Sequence, residues 1–122
     1  MFQIELPWPP SVNGYWRSFR GRQILSKRAR TYKDTIAIIM AKNTFSRLSG
    51  GLSADIVLHP PDKRRRDWDN WHKAVFDALA DCGLYDDDSQ VNFATVRFAE
   101  PRRPGIYKLK IWEQKNGNKE TN

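Results

Sequence analysis

Two charged clusters, separated by one helix-length segment, constrain this chain more than any other feature of its sequence. The first reads RRRDWDN at residues 64–70 and sets three arginines before two carboxylates at Asp-x-Asp spacing; the second is the acidic triplet at residues 86–88. The intervening segment repeats apolar side chains at helical spacing and ends at Gly83, which suits the position after a helix. A site that uses both clusters requires residues 67–88 to fold back on themselves or to pair across two copies of the chain.

The charge is divided between a basic body and an acidic spot. The formal net charge of the 122 residues is +7, yet eight of the fourteen acids lie between residues 62 and 88. A basic surface favours a polyanionic partner, because each phosphate neutralised by Lys or Arg releases a counterion. A local excess of carboxylates favours a bound cation. The composition therefore indicates a protein that binds nucleic acid and also a metal ion.

Size and cysteine content exclude several other classes. A chain of 122 residues has room for one modest core. Cys82 is the only cysteine, which excludes a disulfide framework and a cysteine-based zinc site. No segment approaches the ~20 apolar residues that a bilayer crossing requires. We therefore predict one domain over residues 1–115, a disordered polar tail over residues 116–122, and a cytoplasmic protein with no membrane or small-molecule cofactor.

Apolar periodicity predicts an α+β fold with the order β-β-β-α-β-α-β-β and a mixed or antiparallel sheet. Alternation over residues 2–6 and 52–58 indicates strands, the second of them half-buried. A glycine turn at residues 20–22 favours a basic β-hairpin. Two last strands are predicted over residues 91–98 and 106–112.

Two amphipathic helices are predicted within this order. Ser26 fits the N-cap of a first helix that runs to about Leu48. Asp69 or Asn70 fits the cap of a second helix, on whose apolar stripe Trp71 is expected. This second helix would have about four turns and would place the acidic triplet ~20 Å from the Asp-x-Asp pair.

The carboxylates have the chemistry of a magnesium site. If residues 66–69 are extended, the strand period of two puts Asp67 and Asp69 on one side of the chain, where they can share an ion. Mg²⁺ prefers oxygen ligands and keeps several waters, so two or three carboxylates and a phosphate oxygen are enough. A metal-activated water would then attack a phosphodiester.

Lys73 stands one helical turn after Asp69 on the same predicted face. It either stabilises charge that develops on the phosphate in the transition state, or forms an i,i+4 ion pair with Asp69 and has no catalytic role. Spacing alone favours neither interpretation.

These residues resemble the RusA family of Holliday-junction resolvases. The resemblance rests on PDKRRRDWDN at residues 61–70, KA at 73–74, FDAL at 76–79, DDSQV at 87–91 and the opening loop LPWPPSVN at 6–13. Together these segments cover nearly the whole chain in the family's order and spacing.

The resemblance implies a small homodimer, often phage-borne, that binds four-way DNA junctions in recombination and repair. Such a protein nicks two strands symmetrically with Mg²⁺, for which Mn²⁺ can substitute. Carried over residue by residue, the metal-binding carboxylates are Asp67, Asp69 and Asp88, the catalytic lysine is Lys73, and Asp87 is an accessory acid.

The sequence departs from the family pattern at two positions. Trp68 stands where a smaller aliphatic residue is expected, and Asp86 adds an acid before the matched pair. The assignment of Asp88 therefore depends on the register with Gln90 and Val91.

The predicted DNA-binding surface is basic and contacts the backbone without reading sequence. Cations on the first turns of the first helix oppose its dipole, which indicates another role for them. His59 and His72 have no partner at metal-ligand spacing and are interpreted as structural or surface residues rather than ligands. The predicted contacts are Lys63, Arg64, Arg65, Arg66, Trp16, Arg17, Arg20, Arg22, Lys27, Arg28 and Arg30, with Asn13 in the opening loop.

Two other functions stay open at the level of sequence. One is a non-catalytic DNA-binding protein whose acidic cluster is a solvated turn or a structural ion site. The other is an endonuclease of similar chemistry that acts on flaps or replication forks.

Overall fold

The computed structural model describes residues 1–115, and the tail predicted over residues 116–122 lies outside them. The described residues form six strands and two α-helices in the predicted α+β order. Neither helix has the length and apolar content needed to cross a bilayer. The elements are β1 (Phe2–Pro7), β2 (Trp16–Phe19), β3 (Arg22–Leu25), α1 (Lys27–Ala41), β4 (Leu52–His59), α2 (Lys73–Asp81), β5 (Val91–Phe98) and β6 (Ile106–Glu113), with 3-10 turns at Val12–Gly14, Trp68–Asn70 and Asp88–Gln90.

A four-stranded mixed sheet in the order β1-β6-β4-β5 organises the fold. β6 is antiparallel to both of its neighbours, whereas β4 and β5 run parallel. Parallel neighbours require a crossover of a dozen or more residues, and α2 with its flanking turns provides it. Both charged clusters of the sequence lie on this crossover.

The hydrophobic core is formed by the sheet and both helices. β4 has a neighbour on each side, so six of its eight residues are buried, more than the half-buried alternation that its sequence predicts. Ile36 on α1, Ile56 on β4 and Leu79 on α2 are at most 1% exposed. Full burial of one such side chain stabilises the fold by about 1.5–3 kcal/mol. This packing fixes the crossover against the sheet.

β2 and β3 form the predicted basic hairpin as a separate two-stranded sheet. The turn between them holds Arg20 at φ 51° and Gly21 at φ 77°. Positive φ at both central residues is what a type I′ turn requires, and its twist matches that of the strands. All four residues of β2 are exposed.

α1 begins as predicted but ends before Leu48. The Ser26 side chain caps its first turn, whereas the last helical residue is Ala41. Two later apolar side chains, Phe45 and Leu48, turn into the core instead. Phe45 packs edge-to-face on Phe2 at 5.9 Å between ring centroids. Tertiary contacts thus override the helical periodicity of this segment.

α2 starts at Lys73, so the predicted caps Asp69 and Asn70 are wrong. Both residues belong to a 3-10 turn at Trp68–Asn70, and the residue that precedes the helix is His72. The helix has nine residues rather than four turns. Because α2 is shorter than predicted, the segment after it has a shorter distance to cover to return to the Asp-x-Asp loop.

Trp71 lies before α2 rather than on its apolar stripe. It is half-buried, and its indole N–H donates to the backbone oxygen of Asp67 at 2.7 Å. Its ring lies 5.1 Å from that of Trp8. Trp71 therefore ties the Asp-x-Asp loop to the opening loop of the chain.

The chain reverses direction directly after α2. Gly83 has φ 85°, as predicted for the position after a helix, and Leu84 N donates to Leu79 O at 3.1 Å. The buried Tyr85 hydroxyl then donates to Phe76 O at 2.7 Å. The segment that carries the acidic triplet consequently runs back along the helix toward its start.

Candidate active site

The arginine-rich loop is stabilised internally by one of its own acids. Arg66 Nη1 lies 2.8 Å from Asp62 Oδ1, and its guanidinium carbon lies 5.8 Å from the Trp8 ring centroid. The hydrogen bond from Arg66 is the main cause that holds the pKa of Asp62 well below its usual range. The Arg66 side chain is only 8% exposed. Of the predicted DNA-contacting loop cations, Lys63, Arg64 and Arg65 are therefore the accessible ones.

Asp67 and Asp69 are both exposed, but the segment between them is not extended throughout. Asp67 has φ −82° and ψ 145°, and the chain then enters the 3-10 turn that contains Asp69. The turn replaces the predicted period of two, because the backbone bends at Trp68. Neither carboxylate has a hydrogen bond or ion pair within residues 1–115.

The acidic triplet divides its three carboxylates among different partners. Asp86 forms an ion pair with Arg47. Asp87 caps the following 3-10 turn by accepting from Ser89 N at 2.9 Å. Within the described part of the chain, the half-buried Asp88 has no such partner. The available carboxylate of the triplet is therefore that of Asp88.

The acidic triplet lies close to α2, since the 3-10 turn that contains Asp88 contacts that helix. The pKa of Asp87 is lowered, chiefly by its hydrogen bonds from Ser89, and the charge of Lys73 contributes. Burial raises the pKa of Tyr15, and the charges of Asp77 and Asp88 add to that rise. The triplet thus lies near α2 of its own chain, although within residues 1–115 it does not join Asp67 and Asp69 in one cluster.

Lys73 is oriented by a contact that spacing to Asp69 did not predict. Its Nζ lies 3.3 Å from Asp77 Oδ2, one turn further along α2. The same oxygen accepts a 2.6 Å hydrogen bond from the hydroxyl of Tyr15, which is 1% exposed. The i,i+4 spacing of Lys73 and Asp77 was a usable signal, whereas no local pattern points to Tyr15.

An open groove gathers several predicted residues. It brings Asp67 together with cations from α1 and from the arginine-rich loop, with Trp8 of the opening loop, and with Asn70. Lys73, Asp69 and Asp88 do not line it. The predicted residues along this groove are Asn13, Arg28, Arg64, Arg65, Arg66 and Asp67.

The other predicted DNA contacts lie on the hairpin and on the first turns of α1. Trp16 is 46% exposed. The guanidinium carbons of Arg17 and Arg20 lie 5.4 Å and 5.2 Å from the Phe19 ring centroid, and Arg30 donates to Leu25 O at 2.7 Å. The remaining cations of this group, all exposed, are Arg22, Lys27 and Arg28.

Both histidines have structural surroundings. His59 is buried, with Nδ1 2.8 Å from Glu100 O. His72 lies with Nδ1 2.8 Å from the Tyr107 hydroxyl, and burial lowers its pKa. Neither environment resembles a metal site, as the sequence predicts.

The carboxylates fit Mg²⁺ by chemistry but do not form a complete ligand set. Asp67, Asp69 and Asp88 offer the unpaired oxygen donors that Mg²⁺ prefers. Within residues 1–115, however, no three His, Cys, Asp or Glu side chains are grouped closely enough to hold an ion.

Comparison with known proteins identifies the family. Residues 7–116 match the family model of the endodeoxyribonuclease RusA. Over 119 residues the chain is 41% identical to the crossover junction endodeoxyribonuclease RusA of Escherichia coli. The matched region covers 94% of this chain and 97% of that protein. Two proteins of the same name, from Enterobacteria phage 82 and Shigella sonnei, are 40% identical over the same shares. The chain therefore belongs to the RusA family of endodeoxyribonucleases.

Proposed function

We propose that this protein is a Mg²⁺-dependent, structure-selective endonuclease that resolves Holliday junctions by paired symmetric nicks in DNA recombination and repair. The observation that supports it most is the state of three carboxylates. Asp67, Asp69 and Asp88 are unpaired within residues 1–115, whereas each other aspartate between residues 62 and 88 has a hydrogen bond or ion pair. Carboxylates left free in an otherwise paired cluster are available to a cation.

These three side chains would hold the ion, with Asp87 assisting from the same turn as Asp88. Bound there, Mg²⁺ would supply an activated water and offset negative charge at phosphorus, and Mn²⁺ would substitute because it accepts the same oxygen ligands. The set closes only if the Asp88 turn and the Asp67 segment approach each other. The exposure of Asp67 and Asp69 permits that movement.

Lys73 would stabilise the negative charge that develops on the scissile phosphate or leaving oxygen. Its side chain is 41% exposed and is held 3.3 Å from Asp77. Asp77 is in turn fixed by Tyr15. A cation that is oriented in advance needs little reorganisation as charge develops, which is the source of its catalytic effect.

DNA would lie along the groove beside Asp67, held through its phosphates. Arg64 and Arg65 line it, Arg28 contributes from α1, and the exposed Lys63 directly precedes Arg64 in the chain. Such contacts position a backbone without reading its sequence. Selectivity would then come from the shape of the junction, with the basic hairpin as a second contact.

The substrate and the assembly follow from the same proposal. The relatives from Escherichia coli and phage 82 are named crossover junction endodeoxyribonucleases, and we propose a four-way junction as the substrate of this chain. A two-fold symmetric substrate is matched by a homodimer that presents two equivalent sites. The proposed compartment is the cytoplasm of a bacterial or phage-infected cell, with no membrane or small-molecule cofactor involved.

Asp67→Asn separates this proposal from a non-catalytic DNA-binding protein. The substitution keeps the size of the side chain and removes the charge that would hold the ion. We expect junction binding to persist and Mg²⁺-dependent nicking to be lost, measured on labelled four-way junctions with Mg²⁺, with Mn²⁺ and with chelator. Asp34→Asn, at an exposed aspartate of α1, is the matched control. Nicking that persists in Asp67→Asn contradicts the proposal. Flap and linear substrates in the same assay measure the selectivity of the protein for four-way junctions.

A further inference from the structure

The 3-10 turn at Trp68–Asn70, which carries Asp69, has little of its own to hold it in place. In the described part of the chain, none of its residues is buried, and the side chain of Asp67 does not cap it. Trp68 is 61% exposed. Exposed turns with few packed side chains open at low cost in free energy. The contacts that fix the direction of the Asp69 carboxylate must therefore come from outside the turn.

Two consecutive side chains after the turn bind two consecutive carbonyls of the Asp-x-Asp segment. The Trp71 indole N–H donates to Asp67 O at 2.7 Å, and His72 Nε2 lies 2.6 Å from Trp68 O. A backbone carbonyl can only accept a hydrogen bond, so Nε2 of His72 carries the proton and donates it to that oxygen. The turn is thus held through its carbonyls by the residues that follow it.

The other nitrogen of the His72 imidazole is tied to the main sheet. Its Nδ1 lies 2.8 Å from the hydroxyl of Tyr107, a fully buried residue of β6. Because Nε2 carries the proton of the neutral ring, Nδ1 accepts from this hydroxyl. Burial raises the pKa of Tyr107 and lowers the pKa of His72, which keeps the hydroxyl protonated and the ring neutral. A single tautomer of His72 therefore satisfies both contacts.

His72 also stands at the start of α2. Its backbone oxygen accepts from Phe76 N at 3.0 Å, and Lys73 follows it as the first residue of the helix. Burial lowers the pKa of His72, and the charge of Asp69 acts against that effect, as expected for a carboxylate near the ring. One residue thus joins the sheet, the helix that carries Lys73 and the turn that carries Asp69.

We propose that His72, held in one tautomer by Tyr107, is a positioning residue that fixes the Asp69 turn for the metal ion. This role rests on the proposed function and deepens it by naming what orders the ligand segment before an ion binds. An ion that binds an ordered segment loses less free energy to ordering it. Side chains that orient metal ligands without touching the ion typically contribute about 10- to 100-fold to metal affinity.

Backbone relaxation measured by nitrogen-15 NMR tests the ordering of the turn without any metal. His72→Phe keeps an aromatic ring and removes both hydrogen bonds. We expect the order parameters of Trp68–Asn70 to fall from about 0.85 to below about 0.6, while those of β4 and β6 stay unchanged. His72→Gln should restore the native values, because its amide can donate to Trp68 O and accept from Tyr107. Equal order of the turn in His72→Phe and the native protein overturns the proposal.

Binding of Mn²⁺ to the full-length protein, followed by electron paramagnetic resonance, measures the consequence for the ligands. We expect the dissociation constant to rise about 10- to 100-fold in His72→Phe and to stay close to the native value in His72→Gln. His59→Phe is the matched control, since it also removes a buried imidazole, one whose Nδ1 lies 2.8 Å from Glu100 O outside the site. Its Mn²⁺ affinity should be native. Equal losses in His59→Phe and His72→Phe overturn the proposal.

Tyr107→Phe tests the tautomer and does not depend on the folding of His72→Phe. It keeps the buried ring and removes only the hydroxyl, so the imidazole loses its link to β6 but can still reach Trp68 O. We expect a smaller rise in the Mn²⁺ dissociation constant than in His72→Phe, and no further rise when the two substitutions are combined, because they act on one unit. A native Mn²⁺ affinity in Tyr107→Phe, or additive losses in the double variant, overturns the proposed link. Circular dichroism checks the fold of each variant.

The outcomes distinguish the role of His72 from the proposed function. A native protein that binds Mn²⁺ and nicks junctions, while His72→Phe binds Mn²⁺ as tightly, overturns the role of His72 and leaves the function standing. A native protein that neither binds Mn²⁺ nor nicks contradicts the function. In that case a turn that becomes mobile only in His72→Phe still supports the ordering role, and a turn that is equally ordered in both overturns it.

Discussion

The Lys73 ammonium lies 3.3 Å from the carboxylate of Asp77, one turn further along α2, and not beside Asp69. The same carboxylate oxygen accepts a 2.6 Å hydrogen bond from the Tyr15 hydroxyl, 62 positions away in sequence. Tyr15 follows the 3-10 turn of the opening loop directly. The proposed catalytic lysine is therefore oriented by two separate parts of the chain.

Asp77→Asn should reduce the nicking rate more than it reduces stability. The amide can still accept from Tyr15 but no longer attracts Lys73, so the ammonium loses its fixed position. We expect kcat for junction nicking to fall about tenfold to a hundredfold, as misplacement of a catalytic group does, with KM little changed. Single-turnover nicking and thermal unfolding measure the two effects.

Asp81→Asn is the matched control for that substitution. Asp81 also belongs to α2 and forms an ion pair, but with Lys33 at 2.8 Å, whereas Lys73 pairs with Asp77. Loss of an exposed pair costs about 0–1 kcal/mol, and nicking should be unchanged. Equal losses of activity in Asp77→Asn and Asp81→Asn would show that Asp77 acts only through stability.

Tyr15→Phe should also disturb the position of Lys73, because it removes the hydroxyl that hydrogen-bonds to Asp77. The substitution keeps the buried ring and leaves the Asp77 carboxylate without its hydroxyl donor. We expect unfolding free energy to fall by about 1.5–3 kcal/mol, the range for hydrogen bonds to charged groups, together with a lower nicking rate. Tyr32→Phe loses a hydroxyl bond to Pro7 O at 2.8 Å and should lower stability alone. A Tyr15→Phe protein with native nicking contradicts the positioning role.

Local patterns predicted the elements of this fold well where local chemistry decides them. The Ser26 cap, the glycine turn of the hairpin and Gly83 after α2 all depend on side-chain or backbone preferences within a few residues. The element order follows from periodicity in the same way. Local patterns gave wrong boundaries where contacts between distant residues determine the structure. The end of α1 is an example, because Phe45 lies beyond the helix and packs on Phe2.

The candidate site was predictable in its residue types and less so in its contacts. Spacing pointed to Asp67, Asp69 and Lys73, and the resemblance to the RusA family implied Asp88. All four remain predictions as ligands and catalyst. Spacing could not show that Arg66 is largely buried against Asp62 and Trp8, because Trp8 comes from a distant loop. For the same reason it missed the bond from Tyr15 to Asp77.

The loss of nicking activity on replacing each acid of the triplet should be greatest for the carboxylate that has no partner in the structure. Asp88 has no partner among the described residues, Asp87 caps a turn, and Asp86 pairs with Arg47. We therefore expect Asp88→Asn to lose most nicking activity, Asp87→Asn to lose part of it and Asp86→Asn to lose little, in parallel single-turnover assays. If Asp86→Asn is the most damaging change, the register assigned to the third ligand is wrong.

The loop arginines should separate into DNA contacts and a structural residue. Arg64 and Arg65 are exposed, so replacing either with Ala should weaken junction binding and reduce the slope of log affinity against log salt by about 1. Lys115→Ala, at an exposed cation outside the groove, serves as the comparison. Titrations at several salt concentrations measure the slope, and an unchanged slope in both arginine variants removes them from the interface.

Arg66→Ala should instead lower stability in a pH-dependent way. Arg66 holds the pKa of Asp62 below its usual range. Because the pKa of Asp62 is lower in the folded protein than in the unfolded chain, its interaction with Arg66 stabilises the fold fully above the unfolded pKa of about 3.9. This stabilisation is lost as the pH falls through the pKa of Asp62 in the folded protein. Urea denaturation should therefore show a deficit relative to the native protein at about pH 7 that narrows below about pH 4. Part of the deficit should persist in acid, because Arg66 also packs over Trp8. Arg65→Ala, at an exposed neighbour, should show no such deficit. If the deficit of Arg66→Ala instead stays constant across the pH range, the whole effect is due to packing.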